Sequence, residues 1–121
     1  MAVILVVEDD GFIGAIAEMM IQEWGHRTLS ASDGPEALLL LRSAQPIDAL
    51  FTDIYLKNAV HGGCELAHQA IELRPNLRVL YTTGNAVTDQ MKALFARGTH
   101  FLRKPYTQPQ LQDSVAALLA A

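Results

Sequence analysis

The chain has 121 residues, a formal net charge of −4, and 50% hydrophobic against 18% charged residues. That describes one globular domain with enough apolar material for a core. It argues against nucleic acid, because no basic run is present to neutralise phosphates, and against a membrane span, because no apolar stretch approaches ~20 residues.

In chain order, short apolar strands alternate with segments of helical length, the pattern of βα units around a parallel sheet. Val3 to Val7 is uninterrupted and rich in β-branched residues, as expected of a strand buried on both faces. It ends in three acids, Glu8-Asp9-Asp10. Gly11 to Glu23 is predicted as a helix with apolar Phe12, Ile13, Ile16, Met19 and Met20 on one stripe, stopped by Gly25. Arg27 to Ala31 reads as the second strand. Ser32-Asp33-Gly34-Pro35 then starts a helix, with a capping side chain, a proline in the first turn and Glu36 favouring the dipole; it runs through Ala37 to Leu41, and Pro46 excludes continuation. Ile47 to Thr52 is the third strand, ending at Asp53.

A long loop, Tyr55 to Gly63, leads to a third helix over Glu65 to Leu73, closed by Arg74-Pro75-Asn76. Leu77 to Thr82 is the fourth strand, Thr88 to Ala96 the fourth helix, His100 to Leu102 a short fifth strand ending in Arg103-Lys104-Pro105, and Gln110 to Ala120 the last helix. Five βα units without repeat or linker predict a single domain over residues 1–121. The fifth unit reaches the end of the chain, so no appended effector domain, and hence no DNA-binding module, is expected. The single cysteine, Cys64, leaves no internal disulfide and reads as an inert thiol in a reducing, cytoplasmic setting. The first residues enter a strand directly, without the basic start of a signal peptide.

Acids at the carboxyl edge of a parallel strand lie in the crevice where open α/β sheets bind ligands. The first strand offers Glu8 and Asp9 there, the third Asp53, the fourth Thr83 and the fifth Lys104. If the first strand is central, these converge. Carboxylates held close want a cation, and Mg²⁺ needs only one or two of them because it keeps several waters. Asp9 and Asp53 are the expected direct ligands, with Glu8 acting through a water. Asp53, among neutral neighbours, suits a carboxylate nucleophile that forms an aspartyl phosphate. The metal and the Lys104 ammonium would supply positive charge to the phosphoryl oxygens, and Thr83 a hydroxyl donor.

Leu5-Val-Val-Glu-Asp9, Thr52-Asp53-Ile54, Tyr81-Thr-Thr83-Gly84 and Phe101-Leu-Arg-Lys104-Pro105 together resemble the receiver domain of two-component response regulators, the CheY-like superfamily, from end to end. The resemblance implies a flavodoxin-like doubly wound parallel sheet of order 2-1-3-4-5, the order the family shares with flavodoxin. It implies that Asp53 takes phosphate from a histidine kinase or a histidine phosphotransfer protein, and that the chain assists its own phosphorylation and dephosphorylation without being a turnover enzyme. It further implies that Asp9, Asp53 and the main-chain carbonyl of Tyr55 bind Mg²⁺ (or Mn²⁺), and that Thr83 and Phe101 form a switch pair in a stand-alone, monomeric or weakly dimeric signalling protein.

The chain departs from that pattern after the acceptor. Receivers carry a proline four residues on and a glycine about eight on; here the fourth is Lys57, and the alignable glycine is Gly63, beside Gly62. Lys57 to Gly62 is therefore a longer loop without its stiffener, read as tolerated variation. Tyr55 and Asn85 are expected to line the path of attacking water, and the Tyr55 ring to shield the acyl phosphate and slow its hydrolysis. The sequence departs from two rival classes. A haloacid-dehalogenase-like phosphatase would need a second aspartate where Tyr55 stands, and a flavodoxin-like FMN-binding module a hydroxyl-rich loop where Glu8-Asp9-Asp10 stands. His26, His61, His68 and His100 lack metal-ligand spacing, and Trp24 reads as a packing residue.

Overall fold

The structure is a computed structural model that describes residues 2–56, 62–84, 87–96 and 99–120. Five strands, β1 (Val3–Val7), β2 (Arg27–Ala31), β3 (Ala49–Asp53), β4 (Arg78–Thr83) and β5 (His100–Arg103), alternate with five helices, α1 (Gly11–Glu23), α2 (Gly34–Arg42), α3 (Gly62–Leu73), α4 (Asp89–Lys92) and α5 (Gln108–Ala120). All pairings are parallel and the order is β2-β1-β3-β4-β5. The predicted order 2-1-3-4-5 thus holds. β1 lies inside the sheet between β2 and β3, the latter being the central strand, and its carboxyl end opens beside that of β3, where the chain order reverses.

Strands covered on both faces must be apolar on both, and two cores result. On one face Leu5, Val7, Leu50, Val79 and Tyr81 pack with α2 and α3. On the other, Ile4, Val6, Phe51 and Leu80 pack with Ala17 and Ile21 of α1 and with Leu111, Val115 and Leu118 of α5. Leu5, Leu50 and Leu80 are wholly buried, each worth roughly 1.5–3 kcal/mol in removed apolar surface. Trp24 packs at the edge of the second core, as expected.

The helix starts follow from side-chain chemistry. Asp10 caps α1, accepting from Phe12 N at 3.0 Å and Ile13 N at 3.2 Å, so the third of the tandem acids serves the helix. Asp33 accepts from Glu36 N at 2.8 Å, while Glu36 reaches back to the Ser32 hydroxyl at 2.9 Å. Thr107 and Gln110 form a reciprocal capping box, which starts α5 two residues before the predicted Gln110. Gly25, at φ +88°, takes the left-handed turn that ends α1.

Three expectations are corrected. The apolar stripe of α1 does not face the sheet: Phe12 is 76% and Met19 62% exposed, and Ile13 and Ile16 are also exposed. The buried face is Gly14, Ala17 and Ile21. A Cβ on Gly14 would stand 3.3 Å from the Glu8 side chain; α1 approaches the sheet too closely for larger residues there, so they turn outward. Second, α4 ends at Lys92 rather than Ala96. Leu94 N and Phe95 N make tight i→i−3 bonds, and Ala96 N donates instead to the Tyr81 hydroxyl at 3.0 Å. Third, α3 begins at Gly62, not Glu65, because Gly63 N is held by Ile54 O at 3.0 Å. The strands β3, β4 and β5 differ from prediction by one or two residues at their ends.

Candidate functional site

The carboxyl ends of β1, β3 and β5 bring Glu8, Asp53 and Lys104 together. Lys104 Nζ lies 2.8 Å from Glu8 Oε2 and 2.9 Å from Asp53 Oδ2. Its place is fixed from the backbone, since Lys104 N donates to Thr83 O at 2.9 Å and so ties the exit of β5 to that of β4. Asp53 Oδ1 accepts from Tyr55 N at 3.1 Å, and Glu8 Oε1 from Asp10 N at 3.2 Å. Both carboxylates thus have one oxygen on the backbone and one on the ammonium.

Asp9, on the exposed side, completes the group: among the described residues, ligand oxygens of Glu8, Asp9 and Asp53 lie within 4.8 Å of one another. Three carboxylates facing one ammonium leave a net negative site. Burial pulls the Lys104 ammonium toward neutrality, but the hydrogen bonds and charges of Glu8 and Asp53 outweigh it, and its pKa is raised. Burial raises the Glu8 carboxyl above its usual range despite Lys104. The two directions agree physically, because a single cation shared by several acids stays charged while one of those acids becomes harder to ionise. Hard oxygen donors, partly exposed and short of positive charge, fit Mg²⁺ or Mn²⁺.

Thr83 is fully buried at the end of β4. Phe101 is half-buried beside Tyr81 in the strand register. Phe95 stands between these two aromatics, its ring centroid 4.5 Å from Tyr81 and 6.1 Å from Phe101. Tyr55 is half-buried with its ring against the α2/α3 core. Residues 57–61, with the longer loop and His61, and Asn85 lie outside the described residues.

The Tyr81–Phe95 pair escaped the sequence reading, although aromatic residues flanking a predicted switch position were its signal. So did Tyr106, which follows Lys104-Pro105 and packs against Phe51 with centroids 6.2 Å apart. Two of the histidines are engaged elsewhere: His26 Nδ1 accepts from Ala2 N at 3.1 Å, and His68 Nε2 bonds Leu94 O at 2.9 Å. Cys64 is buried and its thiol is pushed up by that burial, in keeping with an inert role. No described helix is long and apolar enough to cross a membrane.

The chain is thus a doubly wound α/β protein whose sheet holds a cluster of acids and one lysine at its switch point. The chain belongs to the response regulator receiver domain family, whose model matches residues 4–116. It is 33% identical over 117 residues to the transcriptional regulatory protein YrkP of Bacillus subtilis, covering 96% of this chain and 48% of that protein. It is 28% identical over 119 residues to the response regulator receiver protein CpdR of Brucella abortus, covering 98% of this chain and 97% of the relative. The chain therefore spans about half the length of some curated relatives, YrkP among them, and nearly all of CpdR. A receiver protein of Sinorhizobium medicae superposes with a TM-score of 0.89 at 28% identity, covering 99% and 95% of the two chains. The CheY-like receiver of Methanospirillum hungatei shares the fold at the same TM-score and 23% identity.

Proposed function

We propose that the chain is a two-component phosphoacceptor, a single receiver unit in which Asp53 takes a phosphoryl group from a histidine kinase or a histidine phosphotransfer protein. The observation that carries this reading is the Lys104 ammonium bridging Asp53 and Glu8, with Asp9 in the same oxygen cluster. In the transfer, an Asp53 carboxylate oxygen attacks phosphorus as the phosphorus–nitrogen bond of the donor histidine breaks. Lys104 is already beside Asp53 and meets the incoming charge. Asp9 and Asp53, with the Tyr55 carbonyl and Glu8 through a water, would hold Mg²⁺ or Mn²⁺, which when bound neutralises phosphoryl oxygens. Thr83 would take a further oxygen and Phe101 would repack behind it, so that added charge biases an element with two packings. The chain then acts by partner binding or by passing the phosphate on, as a cytoplasmic monomer or weak dimer, not as a turnover enzyme.

The exposed face of α1 supports a protein donor. Phe12, Ile13, Ile16 and Met20 line a groove of about 440 Å³ together with Pro105 and Tyr106, and Lys104 borders it. An apolar groove bordered by the reactive site suits the apolar flank of a helix that presents a phosphohistidine. The test compares donors: Phe12→Ser should take phosphate from acetyl phosphate like the unaltered chain and lose transfer from a phosphorylated histidine protein. Equal loss from both donors would contradict the docking role.

A further inference from the structure

On the sheet face opposite Tyr81, the chain carries a second hydroxyl and a second aromatic ring near the site. The register places Asp53 beside Thr82 and Thr82 beside Leu102. Neighbours in register share a face, and Leu102 packs in the α1/α5 core, so Thr82 points there as well. Glu8 lies one residue past Val7, which pairs with Thr52, and heads the same row. The row reads carboxylate, carboxylate, hydroxyl. Thr82 is 3% exposed, and its Oγ1 has no hydrogen-bond partner among the described residues. A buried hydroxyl left so is costly, and a valine of the same shape would avoid the cost.

Thr82 lines a small, partly open cavity of about 10 Å³ whose other polar side chains are Glu8 and Tyr106, with Val6, Phe51 and Ala17 among its apolar walls. One water needs on the order of 10–15 Å³ and two or more polar partners. The cavity stands at the lower edge of that volume and offers three polar side chains, Thr82, Glu8 and Tyr106. Tyr106 lines both this cavity and the α1 groove.

We propose that Thr82 is a positioning residue of the cation site: its hydroxyl holds one buried water against Glu8, and that water keeps the Glu8 carboxylate turned toward Lys104 and the cation. The inference rests on the reading of Asp9 and Asp53 as cation ligands. Glu8 already has Asp10 N on one oxygen and Lys104 on the other; a water from below adds a third restraint on a carboxylate that does not itself touch the metal. Groups that orient a metal site from behind are worth about 10–100-fold in affinity.

The test uses the full chain, Thr82→Val and Thr82→Ser, with Mg²⁺ titrated by calorimetry and crystal structures of all three. The expected result is a water at about 2.8 Å from Oγ1 in the unaltered and Ser chains. With it should come roughly tenfold weaker Mg²⁺ binding in Thr82→Val, restored in Thr82→Ser, and no loss of thermal stability without Mg²⁺. A dry cavity in the unaltered chain overturns the proposal, as does a wet cavity with full Mg²⁺ affinity in Thr82→Val. Should Thr82→Val fail to fold, Thr82→Ala replaces it, read against the same crystal structure of the unaltered chain. If the unaltered chain binds no Mg²⁺, the cation-site reading itself fails and takes the positioning role with it, whatever the cavity holds.

Discussion

Gly63 sits against the main chain of Asp53: a Cβ placed on Gly63 would collide with the Asp53 carbonyl oxygen and stand 2.8 Å from Ile54 Cα. The start of α3 thus presses directly on the residue proposed to accept phosphate, and the Gly63 N to Ile54 O bond holds it there. Gly63→Ala is expected to cost about 3 kcal/mol, because the obstruction is backbone and cannot move aside like a flexible side chain. Gly11→Ala, with open space around its Cβ, is the control and should be neutral or stabilising. Urea denaturation of both variants checks this; equal stability would show that α3 retreats freely.

Lys104 bridges two buried carboxylates at once. Lys104→Met leaves them facing each other, and a loss of about 2 kcal/mol is expected, below the roughly 3–5 kcal/mol of a fully buried pair because the site is partly open to water. Mg²⁺ binds the folded form and should recover much of that loss. Thermal melts with and without Mg²⁺ decide the matter. A variant as stable as the parent in chelator would mean the acids are already well solvated.

Tyr81 gives the alkaline side of the stability curve a defined shape. Burial raises its hydroxyl pKa from 10.0 to about 12, so the folded chain keeps this proton where the unfolded chain loses it. Its contribution is whole below about pH 10 and is lost as the pH rises toward 12. Lys104, also raised, adds a loss of the same sign above its ordinary value of 10.5. Tyr81→Phe should flatten the fall in unfolding free energy across that window; an unchanged slope would place the titration elsewhere.

The half-buried Tyr55 ring, two residues past the acceptor, is expected to restrict water at the acyl phosphate. Tyr55→Asn should shorten the phosphoryl half-life several-fold by exposing the bond and orienting water. An unchanged half-life, followed by the decay of phosphorylated protein on phosphate-affinity gels, would remove shielding from the account.

Much of the fold was legible because strands covered on both faces have little choice but to be apolar runs, as Val3–Val7 is, and because acids stand at the ends of two such runs and a lysine just past the short fifth strand. What stayed hidden depended on distances between elements. The stripe of α1 has the right period for a core face, yet the close approach at Gly14 reserves that face for small residues and Ile21. The length of α4 was set by a hydroxyl on another element, Tyr81, competing for Ala96 N. The early start of α3 came from contact between Gly63 and Asp53, ten positions apart, which no local propensity records. Asp10, the last of the three tandem acids, caps α1, a role its place just before a helix permitted.

Asp53 is the residue on which the proposed function turns most directly. Intact mass of the unaltered chain and Asp53→Asn should be measured after incubation with acetyl phosphate, with and without Mg²⁺. The account predicts a gain of one phosphoryl group that needs Mg²⁺ and is absent from Asp53→Asn. An equal gain in Asp53→Asn, or a gain indifferent to Mg²⁺, would contradict it.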